Sequence, residues 1–148
     1  MKFLIPFISI ILLLTSCTSS QEEVSAKDIS VIEESNFNPH DIELINGEKW
    51  KVDEGMMITT QLIANKVQTF DGKTMEEYKE YSTSLSNLIS ELTSNCTMKG
   101  QAHDELHKWL VPFIGLSKDL KKSEDIAELS KIDGELKSEI VVFGDYFE

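Results

Sequence analysis

Four stretches with apolar residues at helical spacing follow one another toward the C-terminus, and short connections separate them. We place these helices at about 54–70, 75–97, 101–121 and from about 124 onward. Apolar residues spaced by three and four lie on one face of a helix, so each stretch presents one apolar stripe. Connections of a few residues make consecutive helices antiparallel neighbours. The sequence therefore predicts an all-α fold, an up-down-up-down four-helix bundle.

The residues of each stripe define the predicted core of this bundle. They are mostly large aliphatic or aromatic side chains, which are the residues most often buried. The predicted inward positions are Met56, Ile63, Val67 and Phe70, then Tyr78, Tyr81, Leu85, Leu88, Leu92 and Cys96 or a neighbour, then Ala102, Leu106, Trp109, Leu110, Phe113, Ser117 and Leu120, and finally Leu129, Ile132, Leu136, Ile140, Phe143 and Phe147.

Short signals mark the ends of these helices. Asp71-Gly72 stops the first helix. Thr74 and Glu77 have the spacing of a capping box, which opens the second helix. Gly100 is a natural C-terminal cap of the second helix, and Ser123 is the predicted N-terminal cap of the fourth.

The segment before the bundle contains Asn46-Gly47, between partly alternating residues from Ile42 to Val52. Asn-Gly is a strong short-range signal for a hairpin, but a lone two-stranded hairpin is marginally stable in water. Two alternatives therefore stay open, a short hairpin or an Asn-Gly turn in an extended segment. In either case we expect Trp50 and Val52 to dock on the bundle.

The N-terminus carries an export signal. Lys2 precedes an apolar run from Phe3 to Leu14, which is too short to span a membrane and has the length of a signal-peptide core. The run ends in Leu14-Thr15-Ser16-Cys17, which resembles a bacterial lipobox. We therefore expect a signal peptide at 1–16 and a lipidated Cys17; the alternative is an ordinary secretory signal with an incidental cysteine. The lipobox implies attachment to the bacterial cell envelope, at the periplasmic face or the cell surface, with the outer membrane favoured.

The residues after the lipobox divide into a tether and one domain. Residues 17–41 are polar and acidic, which is typical of a flexible tether. Residues 42–148 are enough for a single domain. The net charge of −12 at pH 7 would repel nucleic acid and anionic lipid headgroups. We therefore expect contact with the membrane through the lipid anchor, no nucleic-acid partner, and a protein partner that the composition does not identify.

Soft side chains cluster between the second and third helices. Cys96 and Met98 lie near the connection, and His103 and His107 follow in the third helix. If Cys17 carries lipid, Cys96 is the only remaining thiol and cannot form an intramolecular disulfide. Histidines at positions i and i+4 share one face of a helix and can hold one metal ion.

The start of the first helix adds two thioethers to this end of the bundle. Because neighbouring helices are antiparallel, Met56 and Met57 should lie at the same end as the connection. Thiolate, thioether and imidazole together favour Cu(I), and zinc is the second choice because a thioether adds little to its binding. The sequence thus predicts a soft-metal site, copper first and zinc second, whose ligands are Cys96, Met98, His103 and His107, with Met56 or Met57 as further donors.

A structural interpretation of the same residues stays open. Cys96 would be a small buried hydrophobic residue, and the methionines would fill gaps at helix ends. The protein would then be a structural or adaptor lipoprotein of the envelope, and the CTMKG segment only a capped turn between helices. A catalytic interpretation has less support, because the residues from His103 to His107 match neither HExxH nor HxxEH. We expect a binding module and not an enzyme.

Several short motifs lie along the chain. They are Trp50-Lys51-Val52, the run Cys96-Thr97-Met98-Lys99-Gly100 followed by His103 and Leu106-His107, then Trp109-Leu110, and Tyr146-Phe147-Glu148. In these motifs the chain resembles a family of small, uncharacterised helical proteins and lipoproteins of Bacteroidota. Family members often carry further histidines, where this chain has Met56-Met57-Ile58-Thr59 and Val111-Pro112-Phe113-Ile114. The resemblance implies a helical fold and a site at the CTMKG segment, but no particular activity.

Overall fold

In a computed structural model of the chain, residues 40–148 are described and contain four α-helices. The helices are α1 (Glu54–Thr69), α2 (Met75–Ser94), α3 (Gln101–Lys122) and α4 (Ile126–Tyr146). Each helix packs against the next one in the chain, and α1 also packs against α4. The four helices therefore close into a bundle, and the predicted all-α four-helix bundle is confirmed.

The described residues begin at the end of the predicted tether. The predicted signal peptide (1–16), Cys17 and the tether as far as residue 39 lie outside them. The imidazole Nε2 of His40 lies 2.8 Å and 2.9 Å from the two carboxylate oxygens of Glu139. His40, which we assigned to the tether, thus lies against α4. None of the helices in residues 40–148 is long and apolar enough to cross a membrane.

The cap predicted for the start of α2 is confirmed, whereas the cap predicted for the start of α4 is a different residue. The predicted capping box is confirmed, since the hydroxyl of Thr74 accepts the Glu77 amide and the Glu77 carboxylate accepts the Thr74 amide. The prediction of Ser123 as the cap of the fourth helix was wrong. Asp125 is the cap and accepts two amides of the first turn, while the Ser123 hydroxyl donates to a carboxylate within α4. A carboxylate at a helix start is favoured by the helix dipole.

The end of α2 also differs from the prediction. The helix ends at Ser94 and not at residue 97, and Gly100 is the N-terminal cap of α3 and not the C-terminal cap of α2. The residues that follow α2 are held by a long-range bond instead. The amide of Thr97 donates to the carboxylate of Asp53 at 3.2 Å, so it is not paired with a carbonyl of α2.

The core follows the predicted stripes, and an aromatic row runs through it. Trp109 packs against Phe113 and Phe143, with ring centroids 5.1 Å and 4.8 Å away. The Trp109 indole N–H donates to the carbonyl of Glu139 at 2.8 Å, which satisfies the polar end of a fully buried ring. Every predicted inward position is buried or half-buried, although Ile89 is more deeply buried than its predicted neighbour Leu88.

Residues 40–52 form an extended segment that we call the N-terminal strap. Asn46 and Gly47 have φ angles of 54° and 84°, and two hydrogen bonds of 3.0 Å between Ile45 and Glu48 close the turn around them. The pairing is an isolated bridge. Of the two alternatives left open above, the structure therefore shows the Asn-Gly turn in an extended segment.

The end of the strap pairs with the C-terminus of the chain. The amide of Trp50 donates to the carbonyl of Tyr146 at 2.8 Å, and the amide of Glu148 donates back to the carbonyl of Trp50 at 2.9 Å. The Trp50 side chain is buried and Val52 packs against the core. The predicted docking of both residues is confirmed.

A buried carboxylate of α3 holds the middle of the strap. Glu105 is only 6% exposed. One of its oxygens accepts the amide of Glu43 at 3.0 Å, and the other accepts Lys108 Nζ at 2.9 Å. Lys108 Nζ also donates to the carbonyl of Asp41 at 2.8 Å. Removal of this carboxylate would leave the Glu43 amide without its acceptor and Lys108 with the Asp41 carbonyl alone.

We expect Glu105→Ala to lower the free energy of unfolding by about 2 kcal/mol, because the Glu43 amide loses its acceptor and Lys108 loses its charged partner. Glu80→Ala is the matched control, since Glu80 lies exposed on α2. It should change stability by less than about 0.5 kcal/mol. Urea denaturation of the two variants measures both effects. Equal losses in the two variants would show that Glu105 has no special role.

A second polar cluster lies between α2 and α4. The Tyr81 hydroxyl and the Oδ1 atom of Asp133 are buried and have no hydrogen-bond partner among the described residues. The Oδ2 atom of Asp133 accepts Lys137 Nζ at 2.7 Å, and Lys137 also donates to the carbonyl of Phe70. Burial, followed by the negative charge of Asp133, raises the pKa of Tyr81 above its ordinary value.

This raised pKa predicts a loss of stability at alkaline pH. Tyr81 in the unfolded chain ionises near pH 10, whereas in the folded chain it stays protonated. Stability is therefore fully present below about pH 10 and falls as the pH rises above it. Tyr81→Phe should lose less stability than the wild type between about pH 8 and about pH 11. Tyr146→Phe serves as the control in the same urea denaturation, and equal pH-dependent losses in wild type and Tyr81→Phe would contradict this prediction.

Candidate metal site at the α2–α3 end of the bundle

The connection between α2 and α3, residues 95–100, lies against the start of α1. Thr97 donates both its amide and its hydroxyl to the Oδ2 atom of Asp53. Asp53 occupies the N-terminal cap position of α1, but its side chain makes no hydrogen bond to the amides of that helix. The carboxylate therefore holds the neighbouring connection and leaves its own helix uncapped.

The sulfur-containing side chains of this end act as packing groups. Cys96 and Met98 flank Thr97, and both are half-buried against the hydrophobic core. Cys96 is a free thiol. At the start of α1, Met56 is fully buried and Met57 is half-buried against the same core. The predicted thioether and thiol donors thus share one end of the bundle, where their side chains line its interior.

The two histidines of α3 lie side by side. The ring centroids of His103 and His107 are 4.3 Å apart, with an angle of 50° between the ring planes. His107 is exposed, and His103 is partly exposed, with its Nδ1 atom 3.8 Å from the carboxylate of Asp104. Two imidazoles at this distance, reachable from solvent, can approach one ion after small side-chain rotations.

The structure brings together only part of the predicted ligand set. Within residues 40–148, no three side chains of the His, Cys, Asp and Glu types lie close enough to hold a metal ion. His103 and His107 form a pair, whereas Cys96 is not assembled with them into a group of three. Binding by all three would need a movement of the α2–α3 connection.

Gly100 joins this connection to α3. Its φ and ψ angles are 70° and −157°, a conformation that is almost confined to glycine. The Gly100 carbonyl accepts the amides of His103 and Asp104 at 3.0 Å and 3.1 Å. The helix can therefore begin directly after the connection, and His103 lies in its first turn.

The contact that holds this connection is not predicted by the sequence. Asp53 before an apolar-periodic stretch is a readable sign of a helix cap, and Thr97 in a connection is an ordinary polar residue. Their bond joins residues 44 positions apart, and local spacing does not encode such a distance. His40 was likewise assigned to the tether, although it contacts Glu139 on α4.

Comparisons of the chain with protein-family models, with curated proteins and with solved structures found no match. A function proposed for this chain therefore rests on the chemistry of its own residues.

Proposed function

We propose that the protein is a lipid-anchored binding module of the bacterial cell envelope that takes up a soft transition-metal ion, copper first and zinc second. The observation that carries this proposal is the 4.3 Å separation of the His103 and His107 rings. Imidazole is a good ligand for both metals, and a nearby thioether or thiolate favours Cu(I) over Zn(II). Acylation of Cys17 would hold the module at the membrane surface.

A site with two imidazole ligands is better suited to passing its ion to another ligand than to holding the ion permanently. Structural zinc sites use four protein ligands, so two imidazoles leave coordination positions open to solvent or to another ligand. His107 is exposed, which gives an incoming ion direct access. The net charge of −12 attracts cations without selecting among them. We therefore propose that the protein buffers metal ions or passes them on, and does not act as an enzyme.

A second candidate is a structural or adaptor lipoprotein that binds no metal. The packing of Cys96 and Met98 against the core favours it, because both side chains already have the role of ordinary turn residues. The histidines would then be surface residues of α3. The resemblance to the Bacteroidota family implies a site at the CTMKG segment, which supports the metal proposal over the adaptor role, but it implies no particular activity.

An anaerobic Cu(I) titration against a chromogenic competitor tests the metal proposal. A chain starting at Thr18 retains the whole four-helix unit. We expect it to bind one equivalent of Cu(I), and we expect affinity to fall about tenfold or more in the double variant His103→Ala, His107→Ala, because both imidazole ligands are removed. His40→Ala is the matched control: His40 is the third histidine of the sequence, is bonded to Glu139, and should leave affinity unchanged.

Circular dichroism establishes that every variant in this titration is folded. Equal affinity in the wild type and the double variant would exclude the imidazole pair as the site. Failure of the folded wild type to compete for Cu(I), together with failure in a parallel Zn(II) titration, would exclude the metal function and leave the adaptor role.

A further inference from the structure

The Asp53 carboxylate accepts hydrogen bonds from the α2–α3 connection and not from its own helix. An aspartate at the N-terminal cap ordinarily accepts amides of the first helical turn. In this chain those amides of α1 receive no bond from Asp53, and its Oδ2 atom instead accepts the amide and the hydroxyl of Thr97. In either arrangement the carboxylate accepts two hydrogen bonds. A change from the bonds with Thr97 to bonds with the amides of α1 would therefore leave the number of hydrogen bonds the same.

The bond to Thr97 also determines where two sulfur atoms lie. Cys96 and Met98 are its immediate neighbours, and both are half-buried against the core. For residues 96–99, the two bonds from Thr97 to Asp53 are the only hydrogen bonds found within the described part of the chain. One carboxylate therefore holds a segment that carries a thiol and a thioether.

We propose that Asp53 and Thr97 form a latch that controls access of Cys96 and Met98 to the histidine pair, an inference that rests on the proposed metal function. With the latch closed, the sulfur atoms pack in the bundle and only the two imidazoles are available. With the latch open, Asp53 caps α1 and the released connection adds its sulfur donors to the ion. Cys96 binds as the thiolate, and its proton passes to solvent.

Thr97→Val tests the latch, because it keeps the shape of the side chain and removes the hydroxyl donor. Thr83→Val is the matched control, since Thr83 is exposed on α2 and its hydroxyl bonds to the carbonyl of Lys79 in its own helix. In the chain starting at Thr18, Cys96 is the only thiol. We expect Thr97→Val to raise the rate of Cys96 reaction with a thiol reagent about fivefold or more, because one of the two bonds that hold the connection is lost and it opens more often, and Thr83→Val to leave it unchanged.

The same variants are then titrated with Cu(I). We expect Thr97→Val to bind about tenfold more tightly than the wild type, and we expect addition of Cys96→Ser to abolish that gain. Thr97→Ala is the second variant, which replaces Thr97→Val if the valine perturbs folding.

The outcomes separate the latch from the metal function. If the wild type binds Cu(I) through the histidines but Thr97→Val gains neither thiol reactivity nor affinity, the latch is wrong and the metal function stands. A gain in affinity that survives Cys96→Ser also overturns the latch, because the sulfur is then not the added ligand. If the thiol becomes reactive while no protein binds Cu(I), the metal function fails, and the latch fails as a control of metal access.

Discussion

The arrangement of the α2–α3 end depends on the bond between Asp53 and Thr97. Helix α2 stops at Ser94, and this bond ties the connection that follows it to the start of α1. It leaves α1 without its side-chain cap, which ordinarily contributes about 1 kcal/mol. The same bond places Cys96 and Met98 against the core. One carboxylate therefore holds the connection that carries both sulfur donors.

Helix α3 contacts the strap and the core on one part of its surface and presents the histidine pair on another. Glu105 binds the N-terminal strap, and Trp109 extends the aromatic core toward α4. His107 lies two positions from Glu105, about 200° around the helix, so the imidazole pair is on a different side from the strap. The strap therefore does not cover the histidines. The rigid packing of α3 holds the pair in place, whereas ligands in the connection depend on a single long-range contact.

Local spacing was sufficient to predict the fold and half of the candidate site. Helical stripes depend on neighbours three and four residues away, and the same rule predicted that His103 and His107 share a face. The capping box at Thr74 was readable for the same reason. The bond that holds the connection was not readable, because it joins Thr97 to a partner 44 residues away. Similarly, Asn-Gly predicted a turn in the strap, but not that a buried carboxylate of α3 would bind the strap.

The imidazole rings themselves provide the most direct test of the proposed site. Long-range ¹H–¹⁵N NMR spectra would be recorded on the chain starting at Thr18 while Cu(I) is added without oxygen. Binding by the pair predicts that the ring nitrogen signals of His103 and His107 shift together, that the shifts are complete at one equivalent, and that the signals of His40 stay in place. Unchanged signals from His103 and His107, or shifts confined to His40, would contradict a metal site on α3.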